Sequence, residues 1–531
     1  MTKSVSKPLV MLSVLAVIGA LGLVFALRRG TYGESWQNGR RILTVGPKDD
    51  LQAAINAAQL GDTIVVQAGT IFKGGFVLPV KSGSGEIIIQ SSRMSELPER
   101  VRVTPAQSPL FAKLQSGTNA EPVLRTEAGA HHYRLQGFEI STTTPSVKIY
   151  DLVRFGEGRD KQKTRDAAPH DLVIDRCYIH GFDTQDTQRG VAVNSGETTV
   201  SNSYISDIHT VGAEAQAVGG WNGPGPFHIV NNYLEAAGEN VMIGGADPGI
   251  IGLVPTDIEI RRNYMFKPLS WRVGDPSYAG KHWTVKNILE LKNARRVIID
   301  ANVFENNWTD AQDGKAILFT VRNQECTAPW STVENVTFTN NVLKNADGAL
   351  NLLGKDNEVT ASFGKCHPPS ASGQGANLEI RNNLFYNIHG IFLQLNGFEN
   401  VIVDHNTHLQ SGNIMTLYGT PVQQFKYVNN LTVRNSNGYG VFGDGTGEGM
   451  VALKKFAPNY VFENNVLALA DSSLYPRNNY FPASLERVGF VNFEKGDYRL
   501  APYSPFKKSS SDGQPVGCNW EKLGFSATTP K

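Results

Sequence analysis

The chain has 531 residues, 40% of them hydrophobic, with 53 glycines and a formal net charge of +1 at pH 7. Near-neutrality excludes a general nucleic-acid binder, which carries a large basic excess, and the apolar fraction without any low-complexity tract excludes a disordered chain. Length alone suggests roughly three or four domains, unless the chain is a solenoid whose units pack only on their neighbours.

Residues 1–7 read as a short cytoplasmic tail. Residues 8–27, Pro8 through Leu27, carry no charge and are long enough to cross a ~30 Å hydrocarbon layer as a transmembrane helix. Retained, this segment anchors the protein to the membrane with its bulk facing the periplasm or exterior. Cleaved after Val24-Phe25-Ala26, it is a signal segment and the protein is secreted. Residues 28–43 read as a linker. Asp49-Asp50 then caps a helix in which Leu51, Ala54, Ile55 and Ala58 recur on one face, stopped by Gly61 and covering the open end of the first coil of strands. Strands are expected at Thr63–Gln67, Phe76–Leu78 and Ile87–Ile89. The mixed-charge stretch from Gly156 to Pro169 reads as a solvated loop.

Between residues 170 and 470 one phrase recurs: an apolar alternation, a polar pair usually ending in Asn, and a bulky apolar residue. It reads Arg176-Cys177-Tyr178, Asn202-Ser203-Tyr204, Asn231-Asn232-Tyr233, Arg262-Asn263-Tyr264, Ala301-Asn302-Val303, Asn340-Asn341-Val342, Asn382-Asn383-Leu384, His405-Asn406-Thr407, Asn429-Asn430-Leu431 and Asn464-Asn465-Val466, with copies 23 to 42 residues apart. Helical and leucine-rich repeats do not place Asn here; a strand–turn–strand unit does. Asn tolerates left-handed backbone, and its amide can bond to its copy one coil away, so stacked coils form a ladder. The residue after the ladder position is Tyr, Val or Leu in nine of the ten copies, which predicts an inward apolar column.

This pattern resembles the right-handed parallel β-helix of the pectate-lyase-like superfamily over roughly residues 44 to 510. The resemblance implies an all-β chain: an N-terminal capping helix, one right-handed parallel β-helix over 44–485, and a C-terminal coil and tail over 486–531. Asp497-Tyr498-Arg499-Leu500 and Ser504-Pro505 resemble the last coil of such proteins. Of the four cysteines, Cys177 sits at a ladder position as a small buried residue. Cys326 and Cys366 lie in insertions of successive coils, where a disulfide is reasonable in an exported chain. No Cys/His zinc spacing occurs.

Outward side chains on successive coils stack about 4.8 Å apart, so function should lie in columns. With Leu289, Leu291, Val321, Leu393 and Leu395 turned inward, one outward column reads Glu290, Thr320, Gln394, Thr416 and the next Lys292, Arg322, Asn396, Tyr418. A Lys/Arg pair on adjacent coils suits β-elimination of a uronic-acid polymer: one cation neutralises the carboxylate, and the other removes the adjacent proton. The plain alternative is an ordinary surface ion pair with Glu290. Residues 261–300 hold nine Lys/Arg against three acids, a local excess that attracts polyanions. Trp221, Trp271, Trp283, Trp308 and Trp330 fall in the same coils, either as stacking faces for sugar rings or as pins for long loops. Arg272 and Asn323 complete the substrate-binding candidates.

Glu235, Glu239, Asp247, Asp310 and Asp313 supply nearby acids. Glu239 and Asp247 are the candidates to hold Ca²⁺ through oxygen ligands; paired carboxylates would instead make a glycoside hydrolase. Gly238-Glu239, then Glu290-Leu291-Lys292, then Thr320-Val321-Arg322, loosely resembles the chondroitinase B and alginate lyase family. That resemblance implies Lys292 as base and Arg322 as neutralising group, although Asn240-Val241-Met242 lacks the family's second carboxylate. The glycine-rich Gly219–Pro226 run reads as a tight coil corner. The expectation is an extracytoplasmic protein acting on an acidic polysaccharide as a lyase; the alternatives are a non-catalytic glycan- or partner-binding envelope protein and a hydrolase.

Overall fold

The computed structural model describes residues 32–356, 372–435 and 439–527. Their backbone forms three long sheets of 15, 13 and 12 strands, to which successive coils contribute one strand each in turn. One coil, for example, supplies Thr256–Arg261 to the first sheet, Tyr264–Phe266 to the second and Leu289–Leu291 to the third. All pairings along these stacks are parallel except the first, so the chain is a parallel β-helix. Inside it, like residues stack on like: Ile258, Val297, Val336, Leu378 and Val401 lie side by side in the first sheet.

The Asn ladder is present and continuous. The first residue of each polar pair, from Arg176 to Asn464, is left-handed with φ between 50° and 58°, a region that Asn enters at little cost. The second points into the turn. Each side-chain oxygen accepts the backbone N–H of its counterpart one coil earlier, at 2.8–3.0 Å, through Asn232, Asn263, Asn302, Asn341, Asn383, Asn406, Asn430, Asn465 and Asn479. The amide nitrogen in turn bonds a backbone carbonyl, as Asn302 does to Ile260 at 2.8 Å. The buried amides of the ladder asparagines thus have partners on both their oxygen and their nitrogen.

The apolar column beside this ladder faces the other way from expectation. Leu234, Met265, Phe304, Leu343 and Phe385, one residue further on, enter the main core. Val303, Val342 and Leu384 lie outside it in a satellite cluster with Cys518 and Leu523. The ladder residue occupies a bend, so strict alternation restarts one residue later than a straight strand predicts.

Both ends carry more structure than the sequence suggests. Gly33–Gln37, inside the expected linker, pairs antiparallel with Arg40–Val45 at the edge of the first sheet. The helix Leu51–Ala57 is capped by Asp50, which accepts from Ala53 N–H at 3.0 Å, and buries Leu51, Ala54 and Ile55. Asp497–Leu500 is not a last coil; it pairs antiparallel with Phe490–Asn492. Residues 508–527 lie along the second sheet, where Gly517 N–H bonds Asn429 O and Gly524 N–H bonds Asn340 O. The Gly156–Pro169 stretch exposes Asp160, Lys161, Lys163, Arg165 and Asp166, as a solvated loop does, but it is anchored at one point. Gln162 is buried and donates to Asn194 O and Asn222 O.

Cys326 is disulfide-bonded, and Cys177 and Cys518 are free and buried; Cys366 lies outside the described residues. So do residues 8–27, and among the described residues no helix is long and apolar enough to cross a membrane.

Candidate functional site

On the third sheet the coils bring a group of opposed charges together. Arg189 pairs in register with Gln216, and Gln216 with Glu239. The next coil brings Lys286 and Asn287 just ahead of Leu289–Leu291, with Glu290 inside that strand and Lys292 after it. Lys286 is nearly buried. Its ammonium contacts the Glu214 carboxylate and lies 3.1 Å from that of Glu239, whose second oxygen accepts from Gln216 Nε2 at 2.9 Å. The Glu290 carboxylate accepts from Asn287 Nδ2 at 3.0 Å and Thr320 Oγ1 at 3.4 Å, and Lys292 Nζ stands 3.6 Å away.

These charges shape one another. Burial raises the Glu239 carboxyl above its ordinary range, with Lys286 pulling the other way and Glu214 and Glu290 reinforcing the rise. Glu214 is also desolvated, but Lys292 and Lys286 together hold it below its ordinary range. The Lys286 ammonium, desolvated yet faced by Glu239, Glu214 and Glu290, is held strongly protonated. Beneath the cluster Lys267 is fully enclosed, and its three N–H donors reach the Ala236, Ala237 and Gly238 carbonyls at 2.8, 2.8 and 2.7 Å. Burial brings this amine down to about 7, while the three carbonyls hold the backbone that leads into Glu239.

Lys292 and Arg322 do occupy adjacent coils: Arg322 N–H donates to Lys292 O at 3.0 Å. Their side chains have different partners, Lys292 with Glu290 and Arg322 with Asp356 at 3.3 Å. Both expected columns need correction: Asn396 stands in register, through Leu353, with Thr320 and not with Arg322. Glu290 pairs in register with Leu318, not Thr320, and then with Asn351, Gln394 and Thr416 along the stack. The slip is two residues, so the face is retained and only the neighbour changes. Side-chain atoms of Arg189 (Nε), Gln216 (Oε1), Asn287 (Oδ1), Asn351 (Oδ1) and Gln394 (Oε1) are buried with no hydrogen-bond partner among the described residues. They lie on or beside five coils of this sheet.

Several sequence candidates fall elsewhere. Trp271, Trp283 and Trp308 are buried in one cluster with Ala237 and Val285, so they pin loops and offer no face to a sugar. Trp330 donates its indole N–H to Leu253 O. Trp221 is partly exposed, with the Arg189 guanidinium 4.7 Å from its ring centre. Asn323 is buried and caps its own loop, accepting from Ala328 N–H. Arg272 is exposed on the turn after Leu269–Trp271. The basic excess of residues 261–300 does not form a patch, because Arg261, Arg295 and Arg296 pair with Asp300, Glu334 and Asp257 on the first sheet.

Glu239 and Asp247 do not form a Ca²⁺ site. Asp247 accepts from Glu325 N–H, Thr327 N–H and the Thr327 hydroxyl, whereas Glu239 is engaged by an ammonium and an amide. Lys286 supplies the positive charge that a cation would bring. Of the hydrolase candidates, Asp310 is held by His282 and Val285 N–H and Asp313 by Lys315. Lys286, Glu214 and Gln216 carried no periodic signal in the sequence. Lys286 appears there only within the basic stretch, and a long insertion separates it from Glu239. A separate cleft of about 1370 Å³, lined by Arg381, Tyr498, Arg499 and Trp520 among others, lies under the C-terminal segment and includes none of this cluster.

No family model matches the chain, and no characterised protein matches it in sequence. Solved structures are similar at a distance. An alginate lyase from Paenibacillus sp. str. FPU-7 is 12% identical, with 83% of this chain and 99% of that one aligned and a TM-score of 0.35. The PL6 family alginate lyase AlyGC is 13% identical, with 92% of this chain but 59% of that one covered and a TM-score of 0.45. A tailspike of E. coli bacteriophage HK620, in complex with a pentasaccharide, is 14% identical over 80% of this chain and 63% of that one, with a TM-score of 0.41. Likeness at this level leaves the site to be read from the chain's own side chains.

Proposed function

We propose that the protein acts on an acidic polysaccharide laid along the third sheet, cleaving it by β-elimination. The observation that carries this reading is the meeting of Lys292 and Arg322 on consecutive coils, joined by the Arg322 N–H to Lys292 O bond. Arg322 is one-third exposed and fixed at one side by Asp356, so its remaining donors are available to a uronate carboxylate. Lys292 takes the proton from C5, the C4–C5 double bond forms as the C4–O bond breaks, and the ammonium returns its proton to the departing oxygen. An extracytoplasmic location goes with this reading and is supported by the disulfide at Cys326.

The second reading is binding without cleavage. It is favoured by the low exposure of the Lys292 side chain, 10%, and its pairing with Glu290. One experiment separates the two: absorbance of the unsaturated uronate, measured with the full chain against a panel of uronic-acid polymers, with and without Ca²⁺, beside Lys292→Ala. A rise abolished by the substitution supports the lyase. A flat trace with polymer still bound leaves the binding reading.

A further inference from the structure

Away from the third sheet, the first sheet carries a second stack of left-handed residues near the start of its strands. In later coils this stack is Asn335, Asn377 and Asn400, whose amides bond coil to coil at 2.8–3.0 Å. In the early coils the same positions hold His132, Asp171 and Glu197, with φ of 60°, 53° and 38°. The flanking pairs His131↔His170 and Leu172↔Thr198 set that register. An imidazole at a left-handed position is a departure from the Asn of the later coils, and it brings metal-binding side chains to adjacent coils.

Three ligand atoms converge there, with a further imidazole beside them. His170 Nδ1 lies 2.5 Å and His132 Nδ1 3.7 Å from Asp171 Oδ2, and the three atoms all lie within 4.8 Å of one another. His131 Nδ1 faces His132 Nδ1 at 2.8 Å, and the His131 ring stacks on His170 with centres 5.1 Å apart. Nitrogen and oxygen donors around a tetrahedral zinc at ~2.0–2.1 Å sit roughly 3.3 Å apart, so the observed separations bracket that geometry. Glu197 stands in register with Asp171 one coil further on, a neighbouring carboxylate of the kind that surrounds ligating side chains.

We propose that His131, His132, His170 and Asp171 form a site for a late first-row divalent cation of the Zn²⁺ class, bridging two adjacent coils of the first sheet. Three imidazoles and one carboxylate suit zinc and its neighbours and are a poor set for Ca²⁺ or Mg²⁺, which take oxygen. The ion ties the coil that begins at His131 to the one that begins at His170, and it is independent of the proposed polysaccharide site.

The test uses the full chain and ZnCl₂ in isothermal titration, with thermal unfolding as a second readout. Expected are one bound equivalent, a rise in Tm that a chelator reverses, and at least a tenfold loss of affinity in both His132→Asn and His170→Gln. Asn stands at the stacked position in later coils, so His132→Asn is expected to fold. Its unliganded Tm, compared with that of the unsubstituted chain, separates lost binding from lost structure. Ca²⁺ serves as the control cation and is expected not to compete. Absence of stoichiometric Zn²⁺ binding, or binding unchanged in both folded variants, overturns the proposal.

Discussion

The Lys286 ammonium lies 3.1 Å from the Glu239 carboxylate, which has no exposed surface, and also contacts Glu214. Removing it leaves two carboxylates facing each other, one of them with no route to water. Lys286→Met is expected to destabilise the fold by roughly 3–5 kcal/mol, the cost of breaking a buried pair. Adding Glu239→Gln to that variant is expected to recover a large part of the loss. Urea unfolding of the single and double variants checks both statements; equal stability of the two would show that the buried charge of Glu239 is not what Lys286 compensates.

Lys292→Arg separates charge from proton transfer. Arginine keeps the positive charge beside Glu290 but does not act as a base near neutral pH. If Lys292 takes the C5 proton, turnover on a uronic-acid polymer falls by at least about 100-fold, while the Kd for the polymer stays within a few-fold. Retained turnover would remove Lys292 from that role.

The ladder makes a sharper prediction than a typical surface turn. Asn302 accepts from Asn263 N–H and donates to Ile260 O and Asn341 Oδ1. Asn302→Ala strands those buried partners, at an expected cost on the order of 2–4 kcal/mol. Asn382→Gly, at a left-handed position where Gly is at ease, is expected to cost less. Thermal or urea unfolding ranks the two.

Glu235 gives a pH signature. Burial first, then Asp207, pushes its carboxyl up to about 7, while Tyr233 donates to it at 2.6 Å. The folded protein therefore holds a proton that the unfolded chain releases near 4.5. The contribution is fully present below that pH and is lost as pH rises through about 7. Glu235→Gln is expected to flatten the stability profile between pH 5 and 8, by something on the order of 1–3 kcal/mol. An unchanged slope in urea titrations at stepped pH would contradict it.

The turn chemistry was legible in the sequence because it is local: a left-handed residue followed by a buried amide needs Asn, and Asn recurs. The direction of the neighbouring column was not, because Val303, Val342 and Leu384 are as apolar as core residues. The tail that covers them lies far along the chain. Counting from the ladder puts Lys292 and Arg322 on neighbouring coils, where they are. The partners Lys286 and Glu214 depend on how an insertion of irregular length folds back, and no spacing rule encodes that. The buried tryptophans illustrate the same limit. Composition brought them together, and only the packing of Trp271, Trp283 and Trp308 against Ala237 says that they face inward.

The C-terminal segment bonds the second sheet in reverse order: Gly517 to Asn429, Cys518 to the Thr407 hydroxyl, Asn519 to Asn382, and Gly524 to Asn340. A stack of coils ordinarily peels one unit at a time from a free end, since each unit is held only by the next. Here the last coil cannot peel alone, because the chain that leaves it is fastened to coils laid down earlier. Loss of that end must therefore drag on the middle of the rod, and the C-terminal half is expected to come apart as one cooperative block, not as a graded series.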